Sequence, residues 1–144
     1  MTSSRSLAGL SVEERLALFE AACNAETLDD YAALLAPDLQ VHNGNTTATG
    51  RDVAVRILGA TKHAFPDFTM TVTRAVISGD EVAAELIERG THRRDLVLGE
   101  RTIPATGRSI ELYTATFLRY GEDGLIRSVR DYLDRAAFRE QLGL

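Results

Sequence analysis

Residues 65–73 read Phe65-Pro66-Asp67-Phe68-Thr69-Met70-Thr71-Val72-Thr73, and the fold turns on them. From Phe68 onward, Phe68, Met70 and Val72 alternate with Thr69, Thr71 and Thr73. That period of two sends successive side chains to opposite faces of a strand. Upstream of Pro66 the apolar residues recur at helical spacing instead. The chain therefore divides into a helical first half and a β second half.

Reading backward from Pro66, a helix from Asp52 to His63 keeps Val53, Ile57 and Thr61 in register. Gly44, Asn45 and Gly50 form a turn-rich loop before it, and Leu39 to His42 alternates like a short strand. Pro37 stops a second helix that Thr27 caps, with Tyr31, Leu34 and Leu35 on its buried side. The first helix opens at Ser11-Val12-Glu13-Glu14, a capping box, and carries Val12, Leu16, Phe19, Ala22 and Cys23 on one stripe until Asn24-Ala25-Glu26 ends it. Residues 1–10 are small and polar, which predicts a flexible N-terminus ahead of a single domain over 11–144.

Reading forward, Ser78-Gly79-Asp80 turns the chain into a strand from Glu81 to His92, and Arg93 to Gly107 is a polar connection containing Pro104. Ser109 to Tyr120 is rich in β-branched and aromatic residues, Glu122-Asp123-Gly124 turns the chain, and Leu125 to Tyr132 returns it. Asp134 caps a last short helix ending at Gly143. Helix, helix, strand, helix and a meander of strands, with no βαβ alternation and no repeat, is an α+β pattern. Helices on one face of a curved antiparallel sheet leave a cone-shaped pocket between the layers, where small ligands bind.

Composition excludes more than it proposes. The 144 residues carry 16 basic and 21 acidic side chains, a net charge of −5, which speaks against a broad phosphate-binding face and hence against nucleic acid as a partner. No apolar run reaches the roughly 18 to 20 residues of a membrane helix, and the first residues lack the apolar core of a signal peptide. A cytoplasmic protein with no membrane partner is the expectation. Cys23 is the only cysteine, so an internal disulfide and a cysteine-clustered zinc site are excluded. His42, His63 and His92 show none of the short spacings common in zinc sites, and no phosphate loop or Gly-x-Ser-x-Gly elbow is present. The chemistry left is acid/base, with no metal and no cofactor.

Several residues suit such chemistry. Asp131 is an acid near the end of an apolar strand, where burial raises a carboxyl pKa toward that of a usable base. Val82, Ala84, Leu86, Glu88 and Gly90 share a face with His92. If that face lines the cone, Glu88 and His92 enter it together as acid and imidazole. His42 and Asn43 point to opposite sides of one strand, and Asn43 is taken as the inward one. Phe19, Tyr31, Phe65, Phe68, Met70, Tyr113, Phe117 and Leu118 can wall the cavity, and the phenols of Tyr113 and Tyr132 can meet a carbonyl.

An ordered set of short stretches resembles the SnoaL-like polyketide cyclases within the NTF2-like cone folds. The set comprises Leu34-Leu35-Ala36-Pro37-Asp38 leading into Val41-His42-Asn43, Ala64-Phe65-Pro66-Asp67, Gly90-Thr91-His92 and Thr106-Gly107-Arg108. It continues with Asp123-Gly124-Leu125-Ile126, followed by Asp131 and by Gln141-Leu142-Gly143. The resemblance covers about residues 11 to 143 and implies an NTF2-like cone, a curved antiparallel sheet packed on three helices. Members resembling SnoaL close a ring by an intramolecular aldol reaction without metal or cofactor, with an aspartate on the final strand as base. Asp131 stands at that aspartate's place, and the partner histidine's place falls near Thr116. The last strand also resembles limonene-epoxide hydrolases, which puts Asn43 and Asp131 at water-holding positions, Leu86 at the arginine's place and Glu88 at the second carboxylate's. A ketosteroid-isomerase reading would put its base on Asn43 and its tyrosine on Phe19, and that chemistry is rejected.

The resemblance thus implies a cofactor-independent enzyme of secondary metabolism that deprotonates next to a carbonyl and promotes ring closure in a polyketide-type intermediate. Asp131, His92, Glu88 and Asn43 are the catalytic candidates. Phe19, Tyr31, Phe65, Met70, Tyr113, Thr116 and Leu118 are the substrate-binding ones. The alternatives are epoxide opening, by water or by an internal hydroxyl, and a non-catalytic ligand-binding module. Because the open sheet face commonly pairs in this fold, a homodimer is expected.

Overall fold

In the computed structural model, which describes residues 6–144, the capping box at Ser11 starts α1 (Val12–Asn24). The Ser11 hydroxyl accepts from the Glu14 amide at 3.1 Å, and a Glu14 carboxylate oxygen accepts from the Ser11 amide at 3.0 Å. Such a cap contributes about 1 kcal/mol. The stripe of α1 then buries Leu16, Phe19, Ala22 and Cys23. Just before it, within the segment expected to be a flexible N-terminus, Leu7–Gly9 forms a 3-10 turn. The Arg15 guanidinium holds this turn by donating to the Leu7 carbonyl at 2.9 Å. Gly124, at φ +81°, lies so close under the Leu7 and Ala8 backbone that no side chain would fit there.

The second helix, α2 (Asp29–Ala33), departs from the expectation: Leu28 holds its N-cap position without a side-chain bond, so Thr27 is not the cap. Nor does Pro37 end it. The helix stops at Ala33, and Pro37 lies inside β1 (Leu35–Asn43). It falls where the pairing of β1 shifts register between Leu35 and Gln40, an irregularity that tolerates a residue with no amide proton. The stretch expected to be a loop contains β2 (Thr46–Thr49), a hairpin partner of β1. The helix α3 (Arg51–Ala64) follows.

After Pro66 come β3 (Thr69–Ser78) and β4 (Glu81–Thr91). The predicted polar connection holds a small separate hairpin of β5 (Leu96–Leu98) and β6 (Arg101–Ile103). The long β7 (Ser109–Tyr120) and β8 (Ile126–Tyr132) complete the main sheet. A short α4 (Arg135–Gln141) is capped by Asp134, which accepts from the Ala137 amide at 3.0 Å. The six-stranded order is β2-β1-β8-β7-β4-β3. The sheet is not wholly antiparallel as expected, because β1 lies parallel to β8. Three helices, α1 to α3, cover its concave face as anticipated, and α4 adds a fourth at one end.

Pairing fixes which side chains face the helices. Val82, Ala84 and Leu86 of β4 stand level with Leu118, Thr116 and Thr114 of β7, so the even-numbered residues of both strands share the concave face. Leu35, Leu39, Leu118 and Ile126 are almost wholly enclosed, and each such burial is worth about 2 kcal/mol. A register shift between Val72 and Arg74 reverses the alternation of β3. As an edge strand, β3 carries backbone groups with no strand partner, and α1 meets them. The Asn24 carboxamide donates to the Met70 carbonyl at 2.8 Å and accepts from its amide at 2.7 Å, while Glu20 accepts from the Val72 amide. No helix among the described residues is long and apolar enough to cross a membrane.

Candidate active site

The concave face and the helices enclose a cavity of about 210 Å³. Its sheet wall is built from Val41 and Asn43 of β1, Leu86 and Glu88 of β4, Ile110, Leu112 and Thr114 of β7, and Val129 and Asp131 of β8. Phe19 and Cys23 of α1 and Tyr31 of α2 form the opposite wall, with Phe65, Phe68 and Met70 beside them. Leu96 and Leu98 of the small hairpin, with Leu133 and Phe138, also border it. The space is below the roughly 300 to 1,000 Å³ of common ligand pockets. It suits a compact molecule or one ring of a larger one.

Two carboxyl groups face this apolar space. Asp131 accepts a hydrogen bond from the Thr116 hydroxyl at 2.6 Å. Burial raises its pKa above the usual carboxylate value, and the Thr116 bond offsets part of that rise. Glu88 is pushed up to about 7, first by burial and second by the charge of Asp131. Both carboxyls are thus held above the usual range, Asp131 by burial against the opposing Thr116 bond and Glu88 by burial together with the charge of Asp131. Burial and the same carboxylates push the Cys23 thiol up, so it stays protonated. Tyr31 likewise stays a phenol, by burial and by its neighbours Cys23 and Asp131.

Asn43 stands level with Asp131 across the parallel β1–β8 pair and borders the cavity. An Arg135 nitrogen lies 3.4 Å from its side-chain oxygen. Phe19, Tyr31, Phe65 and Met70 also take the wall positions expected of them.

Four expected site residues lie elsewhere. His92 does not enter the cavity with Glu88. The strand ends at Thr91, and the His92 ring stacks behind Phe65 with centroids 5.0 Å apart. Its exposure is 0%. The Nδ1 atom accepts from the Thr106 amide at 3.2 Å and lies 3.0 Å from the Thr106 hydroxyl. Burial lowers its pKa, which favours the neutral ring. Gly90 permits this arrangement, because a Cβ there would come within 3.0 Å of the Phe65 Cβ. Tyr113 is odd-numbered on β7, so it projects from the outer face with 70% exposure. Thr116 and Leu118 do face inward but lie beyond the cavity, enclosed by the core, and the Thr116 hydroxyl is committed to Asp131. Of the other residues considered as walls, Phe117 shares the outer face of Tyr113, at 46% exposure.

Sequence reasoning misses Thr114, although its parity with Thr116 is visible there. It also misses the β5–β6 hairpin, whose signal is Leu96-Val97-Leu98 and Arg101-Thr102-Ile103 around Gly99-Glu100. Cys23 reads from the sequence only as a core position. Among the described residues no group of three or more His, Cys, Asp or Glu side chains is placed to hold a metal ion.

Helices folded over the concave face of a curved sheet, around an apolar cavity with paired carboxyls, define a protein of the NTF2-like or ketosteroid-isomerase-like cone fold. The chain belongs to the SnoaL-like polyketide cyclase family, whose model matches residues 14–142. Among solved structures, a candidate SnoaL-like polyketide cyclase from Jannaschia sp. CCS1 superposes with a TM-score of 0.80 at 16% identity, covering 99% of this chain and 96% of that one. IdmH, a candidate polyketide cyclase from Streptomyces antibioticus, gives 0.76 at 28% identity over 94% of this chain and 100% of its own. An LEH-like epoxide hydrolase from M. tuberculosis gives 0.68 at 20% identity, covering 91% and 88%. No protein of curated function matches the sequence. Family membership supports a cyclase-like enzymatic function in secondary metabolism.

Proposed function

We propose that this chain is a cofactor-independent acid/base enzyme that removes a proton next to a carbonyl and promotes ring closure in a polyketide-type intermediate. The observation that carries the reading is the pair of carboxyls, Glu88 and Asp131, facing one apolar cavity with both pKa values raised by burial. Asp131 takes the carbon-bound proton, and the Asn43 carboxamide beside it donates to the developing enolate oxygen. The enolate carbon then forms a new bond to a second carbonyl carbon of the same molecule. Glu88 gives its proton to the oxygen of that second carbonyl. Exchange with solvent afterwards returns Asp131 to its anion and Glu88 to its acid. The aromatic wall lowers the local dielectric and so strengthens these interactions.

Proton removal can be tested without the natural substrate. In D₂O the protein should speed incorporation of deuterium next to the carbonyl of a compact ketone such as 1-tetralone. Asp131→Asn should slow that exchange by roughly 100-fold or more, the usual scale of a general base, while circular dichroism and thermal unfolding stay native. Exchange in the variant equal to that of the wild type would sink the reading.

A second reading, epoxide opening, is favoured by the level placement of Asn43 and Asp131, which suits a water held between them, with Glu88 protonating the epoxide oxygen. Labelled solvent oxygen in the product of an epoxide substrate would distinguish it. Self-association is also part of the proposal. Val76, Tyr113, Phe117 and Tyr132 are exposed, and their register puts them on the outer face of the sheet, where a second copy can cover them.

A further inference from the structure

We propose that Thr114 is a substrate-binding residue whose hydroxyl donates to a carbonyl oxygen lodged between Glu88 and Asp131. This rests on the acid/base reading of the cavity and adds the group that positions the reacting carbonyl. Among the described residues, three buried side-chain polar atoms lack a hydrogen-bond partner: His92 Nε2, Thr114 Oγ1 and Tyr120 Oη. Of these residues, Thr114 alone borders the cavity. A buried hydroxyl with no protein partner costs stability, and a ligand oxygen removes that cost when it binds.

The register of the sheet gives Thr114 its position. On β7 it lies two residues from Thr116, which stands level with Asp131 on β8, and two residues from Leu112, which stands level with Glu88 on β4. It is therefore centred along β7 between the levels of the two carboxyls. Its direct neighbour on β4 is Leu86, an apolar side chain that offers no competing bond. Thr116, two residues away on the same face, shows the contrast: its proton is already given to Asp131 at 2.6 Å. One threonine thus tunes the base and the next is free for substrate. Rotation about a single side-chain bond lets the Thr114 hydroxyl follow an incoming oxygen.

The test compares a matched pair of probes, 1-tetralone and 1-methylenetetralin, which differ only in a carbonyl oxygen replaced by a methylene group. Dissociation constants are measured by calorimetric or NMR titration for the wild type, Thr114→Val, Thr114→Ser and Asp131→Asn. The expected result is a loss of about tenfold in ketone affinity in Thr114→Val. The methylene analogue should bind with unchanged affinity, and Thr114→Ser should restore ketone binding. Equal ketone affinity in the wild type and Thr114→Val overturns the proposal. So does a parallel loss for both probes, or failure of the wild type to prefer the ketone. Deuterium exchange is measured separately in Asp131→Asn, so a failure of the acid/base reading shows there and a failure of the Thr114 assignment shows in the ketone binding of Thr114→Val.

Discussion

Glu88→Gln should make the protein more stable at alkaline pH while removing its proposed acid. In the wild type the Glu88 carboxyl is raised from 4.5 to about 7 by burial and by Asp131. The folded state therefore binds this proton more tightly than the unfolded state does. Stability from this group is fully present below pH 4.5, falls as pH rises between 4.5 and about 7, and is absent above. A shift of this size corresponds to about 3 kcal/mol, an upper bound because the cavity admits solvent to the carboxyl. Glutamine keeps the shape and has no proton to lose, so its stability should not carry this slope. Urea unfolding at pH 4.5, 7 and 8.5 would follow the difference between variant and wild type. That difference should grow by about 2 to 3 kcal/mol in favour of Glu88→Gln from the lowest to the highest pH, with unchanged m-values. A difference that stays flat, or that grows toward acid, would refute the placement of Glu88 as an enclosed, high-pKa carboxyl.

Two other substitutions test the architecture. Asn24→Ala removes both bonds to the Met70 backbone and should cost about 2 kcal/mol in urea unfolding, at about 1 kcal/mol for each bond; a loss under about 0.5 kcal/mol would mean that water replaces the carboxamide on the β3 edge. Phe117→Asp places a charge in the centre of the exposed outer face, where Phe117 meets Tyr132 edge to face at 5.9 Å. It should convert a dimer to a monomer in sedimentation velocity with native circular dichroism, and a wild type that sediments as a monomer at high concentration would overturn the pairing proposal.

The long strands β4 and β7 are legible because each keeps a period of two along its length: Ser109–Tyr120 is found with the bounds the residues predict. The first half is harder. Leu34 and Leu35 continue the apolar side of α2, so the start of β1 at Leu35 reads as helix, and Pro37 looks like the stop. What makes Leu35–Asn43 a strand is a parallel neighbour some ninety residues away, Ile126–Asp131, and no local period reports such a partner. β2 has no apolar alternation at all, only threonines and one alanine. The motif residues from distant stretches form one junction. Asp67 accepts from the Thr91 amide at 2.7 Å and from its hydroxyl at 2.8 Å, Phe65 packs on Gly90 and His92, and the Gly107 amide donates to the His92 carbonyl at 2.8 Å. Together these residues build the wall behind the cavity and supply none of its acid/base groups.

The candidate site divides along two physical lines, one readable and one not. Parity is readable: Thr116 and Leu118 cannot share a face with Tyr113 on an unbroken strand, so strand alternation alone rules out a site that holds all three. Depth is not. The even-numbered side chains of β7 run from Ile110, Leu112 and Thr114 at the cavity to Thr116, Leu118 and Tyr120 in closed core. Where along that row the space begins depends on how far α1 and α2 descend over the sheet. Phe19 and Tyr31, tilted together at 6.1 Å, border the cavity from that side. Local pattern holds no information about a helix on the other side of the core. This is why Asp131 and Glu88 can be named from their strands, while the choice between Thr114 and Thr116, two residues apart with the same side chain, requires the helices. It also accounts for their different states: closed core leaves Thr116 only a protein partner, whereas the cavity leaves Thr114 free to take a ligand as its partner.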